Sequence, residues 1–394
     1  MGFGVDISRN VQAVKPSQTL QFNKKAIELI QSGVDVVKLT AGEPDFNTPT
    51  EIVNAAIEAM NAGRTKYTDS SGIVELRQGI ARKLFEDNGL KYDSGDIVVT
   101  NGVKQALYSV FKATLNENDQ VILITPCWVS YEAQVRMNGG EPVLVQAKEE
   151  RGFVPDISAI RQAITERTRA IVINSPNNPT GAVYSRSFFE ELAEVVIKKD
   201  LFVVSDEVYE RLIFEGHHHS IASEPLMKDR TVVVNGFSKS HAMTGWRIGY
   251  MAGPTQLSKA VARIQDHLCS NVNTIAQYAA LRALTVSNDS MKHEFMRRRQ
   301  LLSEGLSEIG LKFTMPEGAF YFFVDVRDFL GSKYKDSLEL SLALLEKARV
   351  GVVPGSAFNY EGYIRLSYAA SEEDILEAVR RMRDFFREIA FQPS

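Results

Sequence analysis

The period of the apolar positions changes along the chain, and the changes divide it. Between 97 and 253, short apolar runs recur, each closed by turn-forming residues and followed by a helix-period segment. IVVT (97–100), VILI (121–124), PVLVQ (142–146), AIVIN (170–174), LFVVS (201–205) and TVVVN (231–235) read as buried strands, and RIGYMAG (247–253) as one more. Helices are expected from near Gly102, after TPCWVSY, over 157–164 and over 186–199, the last with Ser187 and Glu190 spaced as a capping box. Alternating strand and helix predicts a doubly wound α/β domain, in which ligands gather outside the C-terminal ends of the strands.

Before this region, 23–31, 50–62 and 72–88 carry a helical period, and Val36–Leu39 reads as a short strand. After it, a long helical stretch (255–285, then 290–309) leads to three strand-like runs, FYFFVDV, RVGVVPG and YIRLSYA, and a closing amphipathic helix over 371–389. That is an α+β domain of about 100 residues. The division places a large domain at 48–290 and a smaller α+β domain at 291–394, completed by an N-terminal arm, 1–47.

Composition narrows the class. The 394 residues are 44% hydrophobic and 24% charged, ordinary for a globular chain. A net charge of −4 argues against general affinity for nucleic acid or an anionic membrane. No apolar run approaches the roughly 18 residues that span a bilayer, and the N-terminus lacks a signal-peptide form. Cys127 and Cys269 have neither metal-ligand spacing nor a disulfide pattern, so cytoplasm is the expected compartment. His217–His219 is expected to be a solvated loop, since no partner motif accompanies it.

Candidate chemistry falls after the strands. Lys239 follows TVVVN and Gly236, with Arg247 eight positions later. An amine able to form a Schiff base near a permanent cation suits a carbonyl cofactor carrying a phosphate, which describes pyridoxal phosphate (PLP); a surface lysine and a packing arginine is the plainer reading. Asn101-Gly102-Val103-Lys104 opens a helix whose free N–H groups suit a phosphate. Asp206 suits a pyridinium nitrogen or a helix cap. Asn178 and Tyr209 suit a ring oxygen, and Trp128 suits ring stacking or core packing. Arg365, on a strand of the small domain, needs a partner if buried: a substrate carboxylate or an internal one.

Taken in order, NNPTG (177–181), SDEVY (205–209) and SKSHAMTGWRIGY (238–250), each after a strand, resemble the fold type I PLP-dependent aminotransferases. The resemblance runs from KPSQT through AGEPDFNTP and KYTDSSGIVELR to RLSYA, and is strongest to the bacterial and thermophile aspartate aminotransferases of subgroup Ib. It implies a large doubly wound mixed-sheet domain with a smaller α+β domain. It implies that Lys239 is the Schiff-base lysine and proton carrier, that Asp206 pairs with the ring nitrogen, that Tyr209 and Asn178 contact the ring oxygen and that Trp128 stacks on the ring. Gly102, Val103, Ser238 and Arg247 would surround the phosphate, and Tyr67 would reach the cofactor of a second subunit in a homodimer with shared sites. Gly42, Asn178, Trp128 and Arg365 would contact the substrate. Relatives with a serine three positions before the lysine differ from this chain, which has Gly236 there; Ser238 or Ser270 is the expected substitute.

Specificity departs from the better-known members, where an arginine just before a Ser-Asn pair reads the distal carboxylate. Asp266 occupies that position, ahead of Ser270-Asn271. Lys104 and Thr19 match the subgroup's alternative acid-binding pair. The resemblance therefore implies transamination between L-aspartate and 2-oxoglutarate by a ping-pong mechanism, with prephenate transamination or a broader aromatic or kynurenine-type activity as alternatives. A transcription regulator on the same fold would carry a basic helix-turn-helix segment, for which these residues leave no room.

Overall fold

Residues 6–14, 16–331 and 333–391 are described by a computed structural model. A two-residue strand, β1 (Val37–Lys38), comes first. The alternating region then supplies β2 (Ile97–Thr100), β3 (Gln120–Thr125), β4 (Glu141–Gln146), β5 (Thr168–Asn174), β6 (Phe202–Asp206), β7 (Thr231–Gly236) and β8 (Gly249–Ala252). They form one sheet in the order β2-β8-β7-β6-β5-β3-β4, with β8 antiparallel to both its neighbours and the other pairings parallel. The segments after Thr100, Thr125, Asn174, Asp206 and Gly236 therefore emerge at one edge. β2, β3 and β7 are buried at every position, while the outer strand β4 is half exposed. Burial on both faces is why the central strands read as continuous apolar runs rather than alternating ones.

The later region supplies β9 (Lys312–Phe313), β10 (Tyr321–Asp325), β11 (Val350–Gly351), β12 (Val353–Pro354) and β13 (Tyr363–Ser367). An antiparallel sheet runs β12-β13-β10-β9, and β11 pairs in parallel with β1, so the N-terminal segment joins this part of the molecule. Helices Asp289–Ile309 and Glu372–Phe391 cover it through a core that includes Leu302, Leu306, Phe322, Ile364, Ala378 and Met382. A second apolar cluster joins Phe323, Phe358 and Tyr363 to Ile122, Ile171 and Val203 of the large sheet. Between the two sheets, Tyr363 Oη donates to Glu149 at 2.6 Å and Arg327 pairs with the same carboxylate at 3.0 Å.

Several expectations are corrected. RVGVVPG is two short strands, because the chain leaves the partner of β1 and joins β13 within four residues. Helix 255–285 is two helices, Thr255–Leu268 and Thr274–Ala283: Ser270 has φ +61° and Asn273 caps the second by accepting from Ala276 N at 3.0 Å. Helix Arg186–Lys198 is capped by Ser185, whose Oγ accepts from Phe188 N at 3.2 Å, while Glu190 pairs with Arg186; there is no Ser187–Glu190 capping box. A helix at Ser337–Ala343, capped by Asp336, had no reading in the apolar pattern. The histidine tract is not a solvated loop. His217 is exposed, but His218 Nε2 lies 2.9 Å from Glu207 and His219 Nε2 lies 2.5 Å from Glu224, both buried carboxylates.

The Glu210 carboxylate accepts from Lys83 and, at 2.8 Å, from Asn88, tying helix Val74–Asn88 to the segment after β6. Burial pushes the Glu210 pKa up, but Lys83, His218 and Asn88 outweigh it and hold the group at about 2. A depressed carboxylate contributes stability that is present above its ordinary value of 4.5 and lost as pH falls towards about 2. Lys83→Met removes the ammonium from that buried carboxylate, leaving it Asn88 and His218, and should lower stability at neutral pH by about 3 kcal/mol. Urea unfolding checks this: the gap between wild type and variant should close as pH falls from 4.5 towards about 2. Equal stability at pH 7 refutes it.

Candidate active site

Lys239 stands three residues past β7, half-buried at the sheet edge. Its Nζ donates to the Gly42 carbonyl and lies 6.0 Å from the Phe320 ring centroid. Burial lowers its pKa to about 8; Glu43 opposes the shift, and the Arg365 and Arg247 cations add to it. An amine so placed is a free base in a useful fraction near neutral pH, as a nucleophile or proton carrier requires. Gly42 lies in the loop 39–48, which other contacts pin across the site: Glu43 accepts from Thr244 at 2.6 Å, Asp45 pairs with Arg298 at 2.7 Å, and Thr48 Oγ1 donates to Ala242 O at 2.8 Å.

Asp206 closes β6 at 2% exposure. Its Oδ2 accepts from Tyr131 Oη at 2.7 Å, and its Oδ1 from Val208 N at 3.3 Å. Burial raises its pKa to about 6, against the lowering effect of the Tyr131 and Val208 bonds. A buried carboxylate without a cation in contact suits an incoming positive group, such as a protonated pyridine nitrogen. No helix directly follows β6 among the described residues, so Asp206 is not a helix cap; its Oδ1 closes a local turn through Val208 N. Trp128 lies edge-on to Tyr131, with ring centroids 5.5 Å apart, and is partly buried against the core that contains Tyr131.

Asn178 and Tyr209 are both buried. Asn178 N donates to Asn174 Oδ1 at 2.9 Å, and Asn174 Nδ2 donates to the Asp206 carbonyl at 3.0 Å, so the ends of β5 and β6 hold each other. The Tyr209 and Tyr321 hydroxyls are 2.9 Å apart.

At the end of β2, Gly102 has φ +78° and caps helix Val103–Thr114 with no side-chain cap, leaving its first N–H groups directed outward. The positive φ at Gly102 favours glycine, and a Cβ there would stand 2.7 Å from Arg247 Nη2, so a larger residue would push the guanidinium aside. Arg247 donates to Thr244 O at 2.8 Å and to Asn101 O at 3.3 Å, both carbonyls, and among the described residues it pairs with no carboxylate. A helix N-terminus beside a cation that has no carboxylate partner among the described residues is suited to an anion. Gly236 has a packing reason: a Cβ there would meet Gly249 Cα at 2.9 Å and Ile248 O at 3.1 Å, so the serine of other family members has no room. Ser238 is half-buried beside Lys239, whereas Ser270 is exposed.

Arg365, on β13, is 2% exposed. Nη1 donates to Asn178 Oδ1 and Nη2 to Thr40 O, each at 3.0 Å, and the guanidinium lies 4.3 Å from the Tyr321 ring centroid. Nε is buried with no hydrogen-bond partner. Burial lowers its pKa. Among the described residues no carboxylate pairs with Arg365, so the internal-partner alternative fails, and the orphaned donor fits an incoming carboxylate. Lys104 extends from the first turn after Gly102 to 4.9 Å above the Trp128 ring, and partial burial, then Arg247, lower its pKa. Tyr67 is 87% exposed in the loop before helix Val74–Asn88, and no hydrogen bond or ring contact links it to the lysine's surroundings. Thr19 falls in the first turn of helix Gln18–Gln31; its side chain lies outside the described residues.

The structure links Asp206 to Asn178 through Asn174, Asn178 to Arg365 and Tyr209 to Tyr321, sets Arg247 against Gly102, and puts Lys239 Nζ on the Gly42 carbonyl. The buried Asp206, the helix N-terminus beside Arg247 and the partner-free Arg365 donor fit PLP and a carboxylate-bearing substrate. Sequence reasoning missed Tyr131, Asn174 and Tyr321. Nothing distinguished Asn174 or Tyr321 from core residues, and Tyr131 lies in the first turn of helix Ser130–Met137, where its bond to Asp206 has no local signal.

The family model for aminotransferase class I and II matches residues 34–382. The chain is 46% identical to the aspartate/prephenate aminotransferase of Thermus thermophilus, over 95% of this chain and 97% of that one. It is 43% identical to the aspartate aminotransferase of Thermotoga maritima, over 96% and 99%. A solved structure of the Thermus thermophilus aspartate aminotransferase with maleate superimposes with a TM-score of 0.92 at 46% identity, covering 97% of this chain and 100% of that one.

Proposed function

The chain belongs to the class I and II aminotransferases, PLP-dependent enzymes of fold type I, and we propose that it moves the amino group of L-aspartate to 2-oxoglutarate, giving oxaloacetate and L-glutamate. The observation that carries the reading is Arg365, a buried cation with, among the described residues, an unpaired donor and no carboxylate partner. It supports capture of the α-carboxylate that aspartate, glutamate and their 2-oxo acids share. The distal carboxylate falls to Lys104 and Thr19, a reading supported by the Lys104 amine standing over Trp128. Prephenate is the second reading, favoured by the relative named for both activities; a flexible lysine accommodates a longer acid better than a fixed arginine fork does.

When bound, the cofactor supplies the carbonyl that takes up the amino group and a ring that withdraws the electrons of the breaking Cα–H bond. This chain would hold it with Lys239 at the carbonyl, Asp206 at the ring nitrogen, Asn178 and Tyr209 at the ring oxygen, and Gly102, Val103, Ser238 and Arg247 at the phosphate. Arg365 and Asn178 orient the substrate by its carboxylate, with Gly42 and Trp128 alongside. The Lys239 amine, freed during the reaction, removes the Cα proton as a base and returns it as an acid, and its lowered pKa suits both directions. Loop 39–48 and the part carrying Arg365 exclude water when substrate is bound.

The test is the absorbance spectrum of the loaded protein: a visible band that bleaches with aspartate and returns with 2-oxoglutarate is expected, and a band indifferent to aspartate overturns the specificity. Lys104→Ser should lower kcat/KM for aspartate about thirtyfold, the worth of one charge-assisted contact, and leave an apolar amino acid unaffected. Unchanged aspartate kinetics would remove Lys104 from the site.

We assign residues 48–290 to the cofactor-binding domain and 1–47 with 291–394 to the smaller one, supported by the two separate sheets and the β1–β11 pairing. We further propose a homodimer in which Tyr67 crosses to the other subunit's phosphate, supported by its 87% exposure. Sedimentation of a 43.9 kDa monomer at working concentration would overturn this. Cytoplasm is our reading of the compartment, supported by two unpaired cysteines. Among the described residues no helix is long and apolar enough to cross a membrane.

A further inference from the structure

We propose that Tyr321 is a positioning residue with two separable functions: its ring carries the Arg365 guanidinium, and its hydroxyl orients the Tyr209 hydroxyl towards the cofactor ring. The inference rests on the proposed roles of Tyr209 and Arg365. Tyr321 opens β10, where it pairs across the sheet with Ser367, two residues along β13 from Arg365. Residues two apart on a strand share a face, so Tyr321 and Arg365 stand as diagonal neighbours on one side of the sheet. The guanidinium carbon lies 4.3 Å from the Tyr321 ring centroid and 5.1 Å from that of Phe358. A cation this close to an aromatic face, away from water, is held by the ring quadrupole. Among the described residues Arg365 has no anion to fix it, so the rings and the two carbonyl oxygens of Asn178 and Thr40 set its attitude.

The other end of the same side chain does different work. Tyr321 Oη is 2.9 Å from Tyr209 Oη, both hydroxyls buried. The Tyr209 and Tyr321 rings meet edge to face with centroids 6.0 Å apart, and Gly42 lies beside the Tyr321 hydroxyl. A phenol has one hydrogen. If Tyr209 spends its hydrogen on a ring oxygen, its own oxygen is left to accept, and Tyr321 is the donor in reach. Donation by Tyr321 polarises the Tyr209 O–H and strengthens its bond to the ring oxygen. A stronger donor there favours the anionic ring oxygen, and so lowers the pH at which the bound cofactor loses its proton.

The two functions come apart in two variants of the loaded protein, read by spectroscopic pH titration and by equilibrium binding of the dicarboxylate maleate. Tyr321→Phe keeps the ring and loses the hydroxyl. It should raise the pH midpoint of the cofactor's visible absorbance by about half a unit and leave maleate affinity within about twofold, since each hydrogen bond adds roughly 10–30% to its neighbour. Tyr321→Leu loses both, and should show the same midpoint rise together with about tenfold weaker maleate binding, the loss of one cation–π contact. A Tyr321→Phe midpoint equal to wild type, while Tyr209→Phe shifts it, overturns the hydroxyl function alone. Equal maleate affinity in Tyr321→Leu and wild type, while Arg365→Lys weakens it, overturns the ring function. If Tyr209→Phe does not move the midpoint, or Arg365→Lys does not weaken maleate, the underlying site assignment fails instead.

Discussion

Lys239→Ala should abolish amino transfer, with kcat lower by at least about 10⁴-fold, because one side chain both holds the cofactor and carries the proton. Single-turnover bleaching of the visible band by aspartate measures it, with free PLP supplied in excess so that weak retention does not masquerade as a chemical defect. Residual turnover above a hundredth of wild type would show that another base serves Cα. The wild-type amine has its own pH signature. Its pKa lies at about 8, below the ordinary 10.5, chiefly through burial. A lowered lysine is charged below that value and a free base above it. The rate at which PLP reconstitutes the apo protein should therefore rise about tenfold per pH unit up to about pH 8 and level off beyond it. A plateau only near 10.5 would mean that the amine is solvated in the apo protein.

Arg365→Ala should lower kcat/KM for aspartate about 10³-fold, corresponding to about 4 kcal/mol for a desolvated, charge-assisted carboxylate contact. Two costs combine. The substrate loses its partner, and the Asn178 and Thr40 oxygens lose their donors inside a buried site. Arg365→Lys should recover only part of the loss, since an ammonium cannot present the planar fork. The control is an amine donor without a carboxylate, whose slow reaction should differ less than about threefold between wild type and Arg365→Ala. Parallel losses for both donors would place the defect in folding rather than in recognition.

Much of this site was legible in the chain because parallel strands leave a local signature. Each is a continuous apolar run ended by turn residues, and the rule that ligands collect at strand C-terminal ends converts that into candidates. Lys239, Asp206, Asn178 and the Gly102 turn follow from this alone. The helix starts were weaker signals, because Ser185 and Ser187 are both plausible caps and only backbone direction separates them. The histidine tract misled because a run of polar residues reads as solvent-facing, while the burial of His218 depends on Glu207 reaching it from another segment.

By itself, then, the sequence determined the strands of the large sheet, their order along the chain and the residues that end each of them, since all of these are local in the chain. Only the tertiary structure decided partnership. It put a ring rather than a carboxylate beside Arg365, left its Nε unpaired, aimed Tyr131 at Asp206 and Tyr321 at Tyr209, and packed Gly236 against Gly249 so tightly that no serine fits. Those pairs lie far apart in the chain, and hydrogen bonding and close packing act on distance in space, which periodicity does not encode.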